Sequence, residues 1–421
     1  MSGALALPAR AARRRSGVTT AALAWRNLWR NRRRTWLTAG GIAFAVWLLV
    51  VSVSMQDGGF EVMIDNTARL LVGHVQLQHP EYHDDPALEH LLADAPALAA
   101  RALATAHVTA ALPRAESFAL VSAGERSFGA RVMGVVPAAE QGASSLPGMV
   151  TRGRYLEGPG EAFLGETLAR NLDLDVGDEV VLLGTAREGG VAAAVARVVG
   201  LYATGQAELD RSLLQIPLDD FRAGWNLGDG MAHAVVLLVD RAGNSAAVAA
   251  ALGGGDAAAL DWRALMPEAE QTVEIKRLST RLFFALIALI VTFSVVNTFM
   301  MTVFERTREF GMLMALGMRP GALVRQLCIE ALWLGLFGVA LGLAVSVALI
   351  AVLAGTGIPL PEDAAEIMAR YNMPDRMYPA FSLWAAGFAG LVMLLGVQLA
   401  VLVPALRLRR LTPVDALRGP E

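Results

Sequence analysis

The sequence predicts an α-helical membrane protein: four transmembrane helices plus a large extracytoplasmic α+β domain inserted between helices 1 and 2. Three observations carry that expectation. Four charge-free apolar runs are each long enough to cross a bilayer, a long polar segment separates the first from the second, and the charges divide by sign between the connecting segments. Of 421 residues, 55% are hydrophobic and 18% charged, with one cysteine and a formal net charge of −3. Near-neutrality excludes a chain that is basic overall and built to coat nucleic acid, so no nucleic-acid partner is expected. A single cysteine excludes an intrachain disulfide framework and a Cys-rich zinc site.

The elements follow in order. Residues 1–35 hold nine Arg and no acid, which places them inside as a cytoplasmic basic segment. Within it Trp25, Leu28 and Trp29 fall at i, i+3 and i+4 among Arg26, Arg30, Arg32, Arg33 and Arg34. That pattern reads as an interfacial anchor, with Trp25 and Trp29 at headgroup level and Arg32, Arg33 and Arg34 near anionic membrane lipid. The first span is 36–55. Arg33-Arg34 ahead of it looks like a twin-arginine signal, but the apolar run is too long and ends in Ser-Val-Ser-Met-Gln-Asp without a small-residue cleavage site. An uncleaved anchor is expected.

Residues 56–281 form the outer domain. The segment 57–275 holds 30 Asp/Glu and 14 Arg, a net of −16, and is placed outside. His74–Gln78 alternates with period two and reads as a strand. Further strands are expected at Arg131–Val136, Glu179–Leu183, Ala196–Gly200 and Ala234–Val239, with helices at Ala97–Ala106, Gly165–Leu172 and Asn244–Leu252. Gly177-Asp178 and Glu188-Gly189-Gly190 supply turns. Gln56–Leu71 and Pro267–Arg281 are helix-compatible and extend the flanking spans as a stalk. The remaining spans are 282–303, 327–353 and 381–406. A cytoplasmic loop at 304–326, an outer loop at 354–380 with Glu362, Asp363, Glu366 and Asp375, and a basic cytoplasmic tail at 407–421 complete the topology. Gly335, Gly338 and Gly342 at helical spacing in the third span favour close helix–helix approach.

Catalytic patterns are missing. His74, His79, His83 and His90 lie near Asp84 and Asp85, but Pro80 prevents one helix face from carrying His79 and His83. His74 falls with Gln76 and Gln78 on the polar side of its strand, so solvated histidines and no metal site are expected. There is no H-E-x-x-H and no G-x-S-x-G. The 36 basic residues comprise 35 Arg and Lys276, and Lys276 sits in Glu-Ile-Lys-Arg, outside any phosphate-binding loop. No catalytic residue and no cofactor are therefore expected here.

The inner loop is the most informative stretch. Between Phe304 and Pro320 the charges at 305, 306, 308 and 309 precede Phe310, Leu313, Met314 and Leu316, and Gly317 stands as a C-cap. The run Glu-Arg-Thr-Arg-Glu-Phe-Gly-Met-Leu-Met-Ala-Leu-Gly at 305–317 resembles the FtsX-like permease family, the four-span ABC transporter subunits of the MacB, FtsX and LolC/LolE types. Glu330-Ala331 ahead of the glycine-rich third span, and Pro413–Arg418 in the tail, reinforce it. Weaker echoes occur at Gly134–Pro137 and Leu164–Ala169.

The resemblance implies a coupling helix at about Phe304–Leu316, carried by Glu305, Arg306, Arg308, Glu309, Phe310, Gly311, Leu313, Ala315 and Gly317. It would dock on a separate ABC ATPase subunit, a dimer holding ATP and Mg, with a second copy of this permease or a related permease alongside. Arg325 and Glu330 mark the membrane border, where the two could pair. ATP-driven closure would pass through the spans to the periplasmic domain by mechanotransmission. An unfused chain of this layout is nearest the LolC/LolE-like lipoprotein-release permeases, which implies an amphiphilic, lipoprotein or lipid-linked cargo at the inner membrane. The same layout admits an FtsX-type signalling scaffold that regulates a periplasmic partner such as a cell-wall hydrolase.

Overall fold

The computed structural model describes residues 21–408 apart from 23, 256, 363–364 and 366–375. The readings on residues 1–20, on Asp363, Glu366 and Asp375, and on the tail Pro413–Arg418 lie outside the described residues. The chain divides into two compact units, one of Met1–Gly58, Ile275–Ile358 and Tyr378–Glu421, the other of Gly59–Glu274 and Pro359–Met377.

The first unit is helical. Its long elements are α1 (Arg32–Thr67), whose first part belongs here, and, numbered after those of the second unit, α6 (Pro267–Glu305), α7 (Thr307–Ala315), α8 (Pro320–Thr356) and α9 (Leu383–Leu408). Among the described residues four helices are long and apolar enough to cross a membrane. Apolar side chains form a shared core, with Ile42 and Val46 of α1, Val295 and Phe299 of α6, Leu327 and Leu334 of α8, and Val397 of α9. The glycines of α8 bring helices together as their spacing predicts. A Cβ on Gly342 would lie 2.6 Å from the Ala43 carbonyl oxygen, and one on Gly338 would lie 2.8 Å from the Ile42 side chain. Only hydrogen side chains allow α8 that close to α1. Opposite them, a broad set of apolar side chains stays uncovered, among them Leu37, Leu282, Phe293 and Leu383.

The second unit is built on β1 (Val75–Gln78), α2 (Ala95–Leu103), β2 (Val108–Ala123), β3 (Arg126–Val135), β4 (Val150–Gly153), β5 (Glu161–Gly165), α3 (Glu166–Leu172), β6 (Glu179–Thr185), β7 (Val191–Tyr202), β8 (Leu213–Pro217), α4 (Leu218–Trp225), β9 (Ala234–Val239), α5 (Ser245–Leu252) and β10 (Ala258–Asp261). The strands run in the order β10-β1-β9-β2-β3-β8-β5-β7-β4, with β6 joining β2 to β7. Consequently the pairings β2-β3-β8-β5-β7-β6-β2 close on themselves, around a core that includes Val121, Val132, Leu164, Leu182 and Leu214. The other end is an antiparallel layer covered by α2 and α5, with Val75, Leu77, Ala99, Val235 and Leu252 buried together. The 16-residue β2 serves both, pairing β9 through its first half and β3 and β6 through its second.

Sequence-predicted strands reappear with shifted ends, and Gly177 and Gly189 adopt the positive φ their turns require. Gly134 and Gly165 explain why short glycine motifs recur there. A Cβ on Gly134 would strike the Phe221 ring, and one on Gly165 would strike the Asp210 backbone. The expectation for His74 fails. It is fully buried, with its Nε2 3.4 Å from Asp65 Oδ1. Strand β1 lies between β9 and β10, so alternation along it marks no solvent face, and Gln78 is buried as well. A second buried polar feature was not anticipated: Arg114 donates from Nε and Nη2 to both oxygens of Glu140, at 2.7 and 2.8 Å.

Candidate coupling site

Helix α6 ends at Glu305, and Arg306 leaves helical geometry at φ −102°, ψ 10°. The next helix, α7, is only nine residues long, so isolated propensity contributes little and its position depends on what ties it down. Its C-terminus closes in the six-residue pattern that a left-handed residue permits. Gly317, at φ +93°, donates to the Met314 carbonyl at 3.0 Å, and Met318 donates to the Leu313 carbonyl at 3.0 Å. The expected Gly317 cap is therefore one residue past the cap position, which Leu316 occupies.

At the other end a charged network ties α7 to α8 and to the segment before α1, and ties α6 to α1. Arg306 donates to Glu309 at 3.0 Å and to both oxygens of Glu330 on α8 at 3.3 Å. Glu330 also accepts from Asn27 at 2.9 Å and from Gln326 at 3.4 Å. Arg30 reaches Glu309 at 3.0 Å, and Arg34, in the first turn of α1, reaches Glu305 at 2.7 Å. Arg306 is 9% exposed and Glu330 is 5% exposed, so their charges are compensated by each other and by amide donors rather than by bulk water. Partial burial works to raise the Glu309 carboxyl, but the hydrogen bonds from Arg306 and Arg30 outweigh it and hold the group below the ordinary carboxylate range. Beside the network lies a cavity of about 220 Å³ bounded in part by Asn27, Thr38, Thr302, Arg306 and Glu330.

The pairing of Glu330 with Arg325 does not occur: Arg325 is exposed, while Glu330 faces Arg306. On a helix the five-residue spacing of 325 and 330 puts their side chains about 140° apart, on different faces. Trp25 and Trp29 are likewise more than an interfacial belt. Trp25 lies edge-on to Trp29 at 5.8 Å and to Trp333 of α8 at 5.4 Å, and Trp29 meets Phe337 at 5.6 Å. These rings hold the segment before α1 against α8, which presents Asn27 and Arg30 to the network. Asn27 was not singled out from sequence, and Arg30 was named only as one of the arginines around the anchor. Charge counting gave no signal for the pairing, because the loop at 304–326 itself carries four Arg against Glu305 and Glu309.

The network turns Glu305, Arg306 and Glu309 toward neighbouring helices, and Phe310, Gly311 and Met314 are buried. What α7 leaves open is a stripe of Arg308, Met312, Ala315 and Leu316, continued by Met318 and Arg319. Met312 is 53% exposed and Leu316 is 85% exposed. Leu316, named from sequence among the apolar residues of this helix, lies at the helix end where the chain reverses. The result is a short helix with a fixed base and an uncovered apolar stripe.

Comparison with known proteins puts a chain of this layout, with four helices long and apolar enough to cross a membrane among the described residues, in the class of ABC-transporter permease subunits. Residues 35–254 match the MacB-like periplasmic core domain and residues 281–413 match the FtsX-like permease C-terminal domain, and the chain belongs to this family. It is 26% identical over 402 residues to the lipoprotein-releasing system transmembrane protein LolC of Xylella fastidiosa (strain Temecula1), covering 90% of this chain and 92% of that one. To the LolC of Neisseria meningitidis serogroup B it is 24% identical over 326 residues, covering 75% and 76%. The crystal structure of the periplasmic region of MacB from Actinobacillus actinomycetemcomitans aligns with 48% of this chain and 94% of its own, at 15% identity and a TM-score of 0.33.

Proposed function

We propose that this chain couples ATP hydrolysis in a separate ATPase dimer to motion of its extracytoplasmic domain, so as to extract an amphiphilic, lipoprotein or lipid-linked cargo from the inner membrane. The observation that carries this reading is the α7 docking element: an apolar stripe at Met312, Ala315 and Leu316 on a base fixed to α1, α6 and α8. A push or pull on Leu316 displaces Arg306 and Glu309 with it. Because Arg306 is bonded to Glu330, and Glu309 to Arg30, the load passes into two other helices without bending a flexible loop. Helices α1 and α6 are continuous over Arg32–Thr67 and Pro267–Glu305, so they carry displacement along their axes. ATP and Mg belong to the partner in this scheme, and the permease acts as a pair, with a second copy or a related permease.

In this reading both termini and α7 are cytoplasmic, the sheet domain is periplasmic, and the four apolar helices sit in the inner membrane. The division of charge supports it, with −16 over residues 57–275 against nine Arg and no acid over 1–35. Uncovered Leu37, Leu282, Phe293 and Leu383 suit contact with lipid chains. The LolC relatives supply the cargo class.

Co-purification tests the coupling role. The full chain should retain a small P-loop ATPase from the inner membrane, and Leu316→Glu with Met312→Glu should release it while leaving the chain monodisperse. Persistence of the complex in that double variant would remove the docking assignment.

A further inference from the structure

We propose that His79, Glu81 and His90 form a binding site for a divalent cation of the zinc class on the sheet domain. One ring nitrogen of each histidine and a carboxylate oxygen of Glu81 all lie within 4.8 Å of one another. Pro80 does keep His79 and His83 off a common helix face, but the chain folds back and delivers His90 instead. The rings of His79 and His90 stack with centroids 5.0 Å apart and planes 3° from parallel. Successive turns shape this loop, with Tyr82 N donating to the His79 carbonyl at 3.0 Å, Asp85 N to Glu81 at 3.0 Å and Ala87 N to Asp85 at 2.7 Å.

The hydrogen-bond chemistry points to a cation. Nδ1 of His90 lies 2.8 Å from the Asp85 carbonyl oxygen, which can only accept, so Nδ1 carries the proton. In the neutral ring Nε2 then holds a lone pair, and it faces Glu81 Oε2 at 3.2 Å. Two acceptors at that distance need positive charge between them, which either a proton on Nε2 or a metal ion ligated by both groups supplies. A carbonyl that fixes the His tautomer from behind is the usual outer support of a metal-ligating imidazole. His79 Nδ1 accepts only a long 3.3 Å bond from Glu81 N, which gives way readily when the ring takes a metal. Two imidazoles and a carboxylate suit zinc, whose ligand bonds of about 2.0–2.2 Å require the three arms to close by roughly 1 Å. Glu81 is exposed and both histidines are half-buried, so side-chain rotation supplies that closure and leaves a fourth position for water. His79 also borders an open cavity of about 730 Å³, which provides an entry path. The metal would tie the residue after β1 to the segment ahead of α2 and fix the loop between them.

The test uses the full chain without a histidine tag, purified in detergent and stripped with chelator, then titrated with Zn²⁺ alone against a chromogenic competitor. One zinc per chain is expected. His90→Ala and Glu81→Gln should each weaken binding at least tenfold, and His83→Ala, an exposed neighbour outside the triad, should leave it unchanged. The zinc-dependent rise in the unfolding midpoint should disappear in the same two variants. Glu81→Gln alters an exposed side chain without changing its size, so its loss of binding reports on the site rather than on folding. Absence of stoichiometric binding, equal affinity in Glu81→Gln, or equal weakening by His83→Ala would overturn the assignment.

Discussion

Removing both members of the Arg306–Glu330 pair should cost about as much as removing one, well below the sum of the two single losses. In Glu330→Met, the Arg306 guanidinium keeps Glu309 at 3.0 Å but loses two bonds at 3.3 Å, and Asn27 and Gln326 lose their acceptor. Breaking a buried pair from one side costs about 3–5 kcal/mol, and the surviving Glu309 contact puts this case near the lower end, about 3 kcal/mol. In Arg306→Met, Glu330 is left buried with only amide donors, and about 3 kcal/mol is again expected. The double variant removes both charges and fills their space with flexible apolar chains, so its cost should fall well below the sum, with a coupling energy of about 2–3 kcal/mol. The four proteins are compared by SDS or thermal unfolding of the full chain in micelles. If transmission runs through this pair, the double variant should also be stable yet fail to support partner ATPase stimulation. Additive losses in the two single variants would refute the reasoning, because the two side chains would then be acting independently.

Other outcomes follow from individual sites. Gly317→Ala should destabilise the α7 end by about 1 kcal/mol, since its φ of +93° disfavours any Cβ while no neighbour lies within 4 Å; Gly317→Asn should cost less, read as unfolding midpoints. Gly342→Leu should lower the yield of folded chain sharply, because its Cβ would start 2.6 Å from the Ala43 carbonyl, whereas Gly387→Leu, with open space around it, should be tolerated. In the sheet domain, the hydrogen bond from Arg154, reinforced by the backbone amides of Glu157 and Gly158, pulls the Glu161 carboxyl down to about 2. A depressed carboxylate contributes stability that is complete above its ordinary value near 4.5 and is lost as pH falls toward 2. Acid titration of the full chain should therefore show an unfolding limb in that window, and Glu161→Gln should flatten it.

Much of this molecule was legible in one dimension. The four long apolar helices were readable as charge-free runs of about 20 residues, and the asymmetry of Arg against Asp and Glu is what carries the proposed sidedness. Gly338 and Gly342 were readable as packing positions for the same reason: in an apolar run, only close approach rewards a missing side chain. The family motif at 305–317 was visible as a pattern, but the role of each side chain within it was not.

Which residues of that motif face outward depended on the break at Arg306 and on partners in α1 and α8, hundreds of positions away in the case of Arg30 and Arg34. The apolar pattern grouped Leu316 with Phe310 and Met314, yet those two are buried and Leu316, just past the end of α7, is exposed. One of the histidine readings failed. Alternation marked His74 as solvated, yet the strands on either side of β1 bury it. Local helix geometry separated His79 from His83, while the return of the loop set His79 against His90. Sequence by itself determined what local chemistry determines: apolar length, the distribution of charge along the chain and the turn glycines. Tertiary structure decided every pairing between distant side chains, because an ion pair or a ligand set is a property of two surfaces that meet, and neither surface records the other in its own spacing.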